Sequence, residues 1–316
     1  MIKKDLHSVT AFAPASSANF FVGFDILGFP FSELGDEVTL IKNEVGELRI
    51  IEIENDPGLP FDVSKNTAGD ALQRMLAYLK LNSGFDIKIK KGIPVCSGLG
   101  GSAASSVAAV SALNAFLEAP LAREELASFA MEAEYLASGE AHADNVVPSL
   151  WGEFTLVQSL MPLCVATLPM PDLYSVLIHP DWQISTQSAR QALSSTLTIK
   201  QHIQQSANLA KLVVDVFNKD WQGLSASAID SLVEPQRAAL LPGFYEYQQA
   251  ALEQGALACS FSGAGPTMIA LTETAEMAQS VADAMQQQMA KRDMQSQYWY
   301  KQMKRGGATI VKEERR

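Results

Sequence analysis

Two rhythms of apolar and polar positions run through the chain and place its elements. Phe85-Asp-Ile-Lys-Ile-Lys-Lys91 alternates, which predicts a strand with one wet face. Ser8-Val-Thr-Ala-Phe-Ala13 predicts a short strand stopping at Pro14; extended segments follow at Glu37–Ile41 and Leu48–Glu54, read as partners. Helical spacing of Ala71, Leu72, Met75, Leu76 and Leu79 predicts an amphipathic helix that Ser64 can cap. The alanine-rich run after Ser102, through Asn114, predicts a buried helix, and Arg123 to Ala137 predicts another with Gly139 as its C-cap. Trp151–Val157 returns to strand, and prolines 162, 169 and 171 mark a boundary. Beyond it, strands (Tyr174–Ile178, Ala258–Phe261, Thr267–Leu271) mix with helices near 200–218, 243–254 and 273–290. No regular βαβ rhythm emerges, which favours an α+β fold over a doubly wound sheet.

Composition sharpens this picture. A chain of 316 residues can bury a substantial core, and two domains, 1–165 and 166–316, suit its length and the proline boundary. Apolar content of 47% with 19% charged residues describes a globular protein. A formal net charge of −11 repels phosphodiester backbones, so binding to an anionic small molecule must rely on locally gathered positive groups. The three cysteines, Cys96, Cys164 and Cys259, are isolated and fit reduced thiols. With no signal-peptide pattern and no run of membrane-spanning length, the expected location is the cytoplasm.

The chemistry concentrates in Pro94-Val-Cys-Ser-Gly-Leu-Gly-Gly-Ser-Ala-Ala104. Gly98, Gly100 and Gly101 leave backbone N–H groups uncovered where a helix begins, and such a terminus attracts phosphate. A Walker A loop is excluded, because Ser102 follows Gly101 with no lysine between them. Gly98, Gly100 and Ala103 spell the dinucleotide pattern, but the preceding strand is wet-faced and the acid at the required distance, Glu118, stands before Pro120 at a helix end.

Other candidate groups lie apart in sequence. A Mg²⁺ ion carried by nucleotide phosphates needs only one or two protein oxygens, which Ser102 and Glu134 supply if their helices pack together. Glu134 lies over Ala130 and Ala137; a partly exposed helix glutamate is the alternative reading. His142-Ala-Asp-Asn145 is either a loop presenting acid and amide groups or a simple cap. Asn19 and Asp25 stand among Phe20, Phe21, Phe24 and Phe29, so these polar groups are forced close to a core and require partners. Arg190, after Ser185-Thr186, and Arg237 could grip a carboxylate, or form surface ion pairs. Ser260-Phe-Ser-Gly-Ala-Gly-Pro-Thr267 is a second glycine loop, which a tight hairpin turn also explains.

In this order the motifs resemble the GHMP kinase superfamily, with its N-terminal substrate loop, its P-x-x-x-G-L-G-S-S-A-A and its late S-G-x-G-P-T. Pro14–Gly28, His142–Pro148, Ser185–Arg190 and Glu234–Phe244 are similar to the branch acting on L-homoserine, so the resemblance spans nearly the whole chain. It implies an α+β, two-domain fold: a first domain like the second domain of ribosomal protein S5, and a ferredoxin-like second domain. It implies ATP-dependent transfer of the γ-phosphoryl group to the side-chain hydroxyl of L-homoserine, a step toward threonine, in a homodimer using Mg²⁺. By position, Pro94, Ser97, Gly98, Leu99, Gly100, Gly101, Ser102, Ala103 and Ala104 would hold ATP phosphates, with Ser102 and Glu134 on the metal. Asn66 and Lys91 would lie near the nucleotide. Asn19, Asp25, His142, Asp144, Asn145, Thr186, Arg190, Arg237 and Gly263 would surround the amino acid, with Arg190 and Arg237 on its carboxylate and Asp25 toward its ammonium. Asp25 or Asp144 would orient the hydroxyl; Asn145 stands where some relatives carry a catalytic aspartate, and an amide accepts no proton. Gly101 replaces the first serine of the family motif and Cys96 a frequent glycine. A mevalonate-phosphorylating relative is the nearest alternative and a dinucleotide-dependent oxidoreductase the remote one.

Overall fold

Alternating segments that each bury one face must pair and be covered, and a computed structural model, describing residues 1–55, 58–138 and 142–315, shows how they do so. In chain order the first part comprises β1 (Leu6–Ala18), β2 (Leu27–Asn43), β3 (Leu48–Glu54), α1 (Thr67–Leu79), β4 (Gly84–Lys90), α2 (Gly101–Phe116), α3 (Arg123–Ser138), α4 (Ala143–Trp151), β5 (Phe154–Leu160) and β6 (Leu163–Leu168). The second comprises β7 (Tyr174–Pro180), α5 (Thr186–Gln191), α6 (Ile199–Asn218), α7 (Trp221–Ser227), α8 (Glu234–Arg237), α9 (Phe244–Glu253), β8 (Ala258–Phe261), β9 (Met268–Thr272), α10 (Ala275–Ala290), β10 (Ser296–Gln302) and β11 (Thr309–Arg315).

A seven-stranded sheet runs β11-β1-β2-β4-β3, with β5 on the start of β2 and β6 on β5. A four-stranded sheet runs β10-β7-β9-β8, all neighbours antiparallel, with α10 between β9 and β10. That order is ferredoxin-like, and the whole is α+β, as expected. The last strand, β11, crosses back to pair with β1 at the edge of the first sheet.

Several local expectations are corrected. Pro14 does not end β1: the strand bends there with a register shift and continues to Ala18. Beyond Phe12, β11 no longer pairs with β1, so the missing N–H breaks no ladder bond on that side. β3 pairs parallel with β4, which lies between it and β2. Asn66, not Ser64, caps α1 by accepting from the Ala68 N–H (3.1 Å). The segment 143–151, expected as a loop, is helix α4, and the proline-marked stretch 160–172 carries β6 of the first sheet. Gly139 lies outside the described residues.

Helix α2 occupies the centre. Its small side chains are buried on nearly every face, which lets β1, β2, α1, α3 and α4 approach it closely. One carboxylate fixes its start. Asp36 on β2, fully buried, accepts from the N–H groups of Gly92 (3.0 Å) and Ile93 (3.1 Å), from Ser105 Oγ (2.7 Å) and from the Lys91 ammonium. Lys91 in turn donates to Ser105 Oγ (2.9 Å) and the Gly101 carbonyl (3.0 Å). Every lone pair and proton in this knot has work, which is what a buried ion pair requires.

Removing one partner leaves a buried charge uncompensated. Asp36→Ala is expected to lower unfolding free energy by about 3–5 kcal/mol, measured by urea denaturation. Asp36→Ala/Lys91→Met is expected to recover a clear part of it; a double variant no more stable than Asp36→Ala would contradict the stated cause.

Candidate active site

Three loops far apart in sequence meet by backbone contact. The Ser16 N–H donates to the Leu99 carbonyl (3.1 Å), the Thr267 N–H to the Ser97 carbonyl (3.1 Å) and the Gly263 N–H to the Ala18 carbonyl (3.2 Å). Ser262 Oγ bonds the Gly98 carbonyl (3.0 Å) and the Ser17 hydroxyl (2.9 Å). No side chain fits at the crossing: a Cβ on Gly98 would sit 2.5 Å from the Ser262 carbonyl oxygen, and the residue has φ +77°. Around this junction opens a cleft of about 430 Å³.

At one end of the cleft, α2 begins at Gly100, whose φ of +66° turns the chain into the helix. The first intrahelical bond is Ala104 N–H to the Gly100 carbonyl, so the N–H groups of Gly101, Ser102 and Ala103 stand outside the helical ladder. With the positive end of the helix dipole, they suit an anion. α3 packs beside α2 and brings Glu134 to within 3.0 Å of Ser102 Oγ, which donates to it. Burial pushes the Glu134 carboxyl up to about 7, opposed by the Ser102 bond and the charge of Lys91.

At the other end lie the charged groups of 19–25, 142–145 and the second half of the chain. Asn19, Phe20 and Phe21 all have positive φ, a conformation that costs free energy in non-glycine residues. Asn19 stabilises it by accepting from the Asp25 N–H (3.1 Å) and donating to the Gly263 carbonyl (2.8 Å), while Phe20 packs edge-on against Phe21 and Phe29 in the core. The turn delivers Asp25 to Arg190, whose guanidinium grips it with two bonds of 2.7 Å and also reaches His142 Nδ1 at 3.1 Å. Arg237 is almost fully buried, donating to the carbonyls of Ala189 (3.1 Å) and Gly263 (3.2 Å). Burial, and then the like charge of Arg190, lowers it to about 10. Phe24 lies 5.0 Å from both guanidiniums, a ring in cation–π contact with each.

Helix α4 carries the remaining pair. Pro148 offers no N–H to the Asp144 carbonyl four residues back, and Gly28 lets β2 press against that carbonyl, where a Cβ would lie at 1.9 Å. Asp144 is buried, and desolvation with the negative charge of Asp25 lifts it to about 7 against the pull of Arg190. Asn145 Oδ1 accepts from Ser16 Oγ at 2.9 Å.

The structure thus gathers nearly all the residues singled out in the sequence around one cleft: Asn19, Asp25, Asn66, Lys91, Pro94, Ser97, Gly98, Gly100, Gly101, Ser102, Glu134, His142, Asp144, Asn145, Thr186, Arg190, Arg237 and Gly263. Leu99, Ala103 and Ala104 are buried beneath it and do not line it; a contribution from Ala103 is through its backbone N–H. Three side chains have other duties than expected. The Lys91 ammonium is engaged by Asp36, Ser105 and Gly101, Asn66 caps α1 and holds the Pro60 carbonyl (3.1 Å), and Arg190 is paired with Asp25. Phe24 and Asp36 were missed. The first was read only as one of the apolar rings around Asn19 and Asp25, and an isolated aspartate in a strand carries no signal of what it will meet. Glu118 stands beyond the far end of α2, about 24 Å from the glycine loop at the rise of 16 helical residues, so it cannot serve a dinucleotide there. Cys96 sits at φ +54°, which explains why glycine suits that position, and a Cβ on Gly101 would meet Ile93 Cγ2 at 3.3 Å, close enough that Ile93 would have to give by a few tenths of an ångström.

Comparison with known proteins gives two family models, the GHMP kinases N terminal domain over residues 66–153 and the GHMP kinases C terminal over residues 212–291. The chain is 38% identical to the homoserine kinase of Chlorobium phaeobacteroides (strain BS1), over 97% of this chain and all of that one. It is 40% identical to that of Xylella fastidiosa (strain M12), over 96% of this chain and 94% of the relative. The crystal structure of homoserine kinase from Cytophaga hutchinsonii superposes with a TM-score of 0.93 at 40% identity, covering 96% of this chain and 97% of that one. The mevalonate kinase of L. major, at 16% identity and TM-score 0.75, shares the fold. Among the described residues no helix is long and apolar enough to cross a membrane.

The raised Asp144 carboxyl has a thermodynamic consequence. Its folded form keeps a proton from the model-peptide range near 3.8 up to about 7, where the unfolded chain has lost it. Its contribution to stability is therefore full at low pH and is lost as pH rises through that window. Asp144→Asn is expected to gain stability relative to the parent as pH rises from about 4 to 7, by at most ~1.4 kcal/mol per pH unit. Parallel pH profiles of the two proteins in urea with constant separation would contradict this.

Proposed function

The chain belongs to the GHMP kinases, within them to the homoserine kinases, and we propose from that premise how its cleft divides the work. The enzyme phosphorylates the side-chain hydroxyl of L-homoserine at the expense of ATP. The observation that carries the residue assignment is that one cleft holds uncovered helix N–H groups at one end and an acid–guanidinium pair, Asp25 with Arg190, at the other. The first complements phosphate; the second complements both charges of an amino acid.

In this reading, residues 94–104 hold the ATP phosphates through backbone N–H groups, with Asn66 toward the base. Lys91, its charge matched by Asp36, would act by fixing the start of α2 through Gly101 and Ser105 rather than by touching the nucleotide. Ser102 and Glu134 would hold Mg²⁺, and the fit is good: a desolvated carboxylate beside a hydroxyl suits a hard cation. Among the described residues no three His, Cys, Asp or Glu converge on a metal, and a Mg²⁺ ion held by one or two protein oxygens would draw its other ligands from phosphate and water. When bound, the ion offsets negative charge on the phosphates.

The amino-acid ammonium would meet Asp25 and the carboxylate Arg190, dividing the ion pair between them, while buried Arg237 reinforces the positive field. Thr186, His142, Asn19 and Gly263 wall this end. The hydroxyl oxygen then attacks the γ-phosphorus, its new P–O bond forming as the bond to the bridging oxygen of ADP breaks. Asp144, lifted toward neutrality, accepts the hydroxyl hydrogen bond; a loose phosphoryl transition state asks chiefly for in-line placement, so no strong base is required. Asn145 orients without taking the proton, which leaves late in the transfer, to a phosphoryl oxygen and then to solvent. Residues 1–165 would form the ATP-binding unit, with the end of β6 and the returning strand β11 completing its sheet, and the rest of 166–316 the unit that completes the amino-acid end, in a cytoplasmic homodimer.

Coupled ADP release against L-homoserine, mevalonate, galactose and a blank tests the substrate: turnover is expected to be highest with homoserine, and faster turnover of another alcohol overturns the reading. Asp25→Asn is expected to raise the homoserine KM about 10- to 100-fold, the worth of one charge-assisted bond, with kcat little changed. A collapse of kcat at constant KM would place Asp25 in the chemistry instead.

A further inference from the structure

Helix α6 has two apolar faces, and the fold uses one. Leu212 and Val216 are buried, with Leu209 and Val213 packed beside them against the core. On the opposite side Ile199, Ile203, Ala207, Ala210, Val214 and Phe217 recur at steps of four, four, three, four and three residues, a single stripe along the helix. All six are exposed; Ile199 is 74% and Phe217 57% accessible. None of them lines the cleft.

We propose that this stripe is the interface at which a second copy of the chain docks, α6 against α6 in antiparallel fashion about a two-fold axis. The inference rests on the homodimer reading above and supplies its surface. The first argument is self-complementarity. Reversing the helix about the point between Ala207 and Ala210 sets each alanine opposite the other and Ile203 opposite Val214, and brings Ile199 and Phe217 to within one residue of each other's level. Large residues therefore flank a small-residue centre that lets the two backbones approach, and an isologous contact needs a pattern that matches its own reverse.

Charge supplies the second argument. The chain carries a net charge of −11, so most of its faces repel a copy of themselves. α6 is the reverse: it carries Lys200 and Lys211, and its single acid, Asp215, is buried and engaged by Lys211 and the Ser227 hydroxyl (2.9 Å). In the antiparallel arrangement Lys200 falls level with the copy's Phe217 and Lys211 with its Ser206, so no like charges oppose. The third is area. Covering the stripe and neighbouring Leu197 on both copies removes on the order of 1,000 Å² from water, the lower bound of a specific interface.

Sedimentation velocity on the full chain at about 50 µM is expected to give a species of twice the 34.2 kDa chain mass. Ala210→Glu places two carboxylates at the small-residue centre and is expected to weaken association about 100-fold or more, with unchanged far-UV circular dichroism. Ala207→Cys/Ala210→Cys is expected to cross-link into dimers under mild oxidation, where the parent, with its own exposed Cys96 and Cys164, does not. A monomeric parent chain overturns the dimer reading and the interface together. A dimer that persists in both Ala210→Glu and Ile203→Glu overturns the interface alone.

Discussion

Everything in the active site depends on backbone touching backbone at Gly98. There the glycine loop, the turn after β1 and the loop between β8 and β9 pass so closely that carbonyls and N–H groups bond directly, with no room for a Cβ. Close approach of this kind transmits position with little slack, since it does not run through flexible side chains. It seats the start of α2, which offers the anion site, against Gly263, whose carbonyl holds both Asn19 and Arg237. The phosphate end and the amino-acid end of the cleft are thus tied through a few peptide groups, and their spacing is set by the fold rather than by the ligand.

Charge is managed differently in the scaffold and in the cleft. Asp36 and Lys91 form a closed knot, every hydrogen-bonding atom used, so the ion pair is rigid and its charges are largely spent on α2 and the loop before it. Glu134 and Asp144 are desolvated and pushed up to about 7, so each gains from an approaching cation or hydroxyl. Asp25 and Arg190, partly exposed and paired with each other, can exchange that pairing for the two ends of a zwitterion at modest cost. A chain with net charge −11 can therefore bind an anionic nucleotide and the carboxylate of a zwitterion, because the positive groups that matter are local: helix N–H groups and two guanidiniums.

Sequence periodicity placed most helices and strands because burial on one face imposes a repeat that no neighbour can alter. It misplaced elements where a neighbour decides. Pro14 continues a strand since one edge is unpaired there, and 143–151 is helical despite Pro148 since β2, at Gly28, accommodates the freed carbonyl of Asp144. β3 pairs with β4 rather than β2, a choice among strands of equal hydrophobicity that only packing resolves.

By itself the sequence determined the phosphate loop, the family and most of the polar groups lining the cleft, because glycines that must sit at positive φ and polar residues forced beside a core leave their mark on local spelling. Only the tertiary structure decided what those groups do to one another. That Lys91 is consumed by Asp36, that Arg190 grips Asp25, that Phe24 meets two guanidiniums and that Asp144 is lifted toward neutrality are all consequences of contacts between residues tens to hundreds of positions apart. Such contacts depend on burial and distance, which are properties of the folded chain and have no counterpart in the order of its residues.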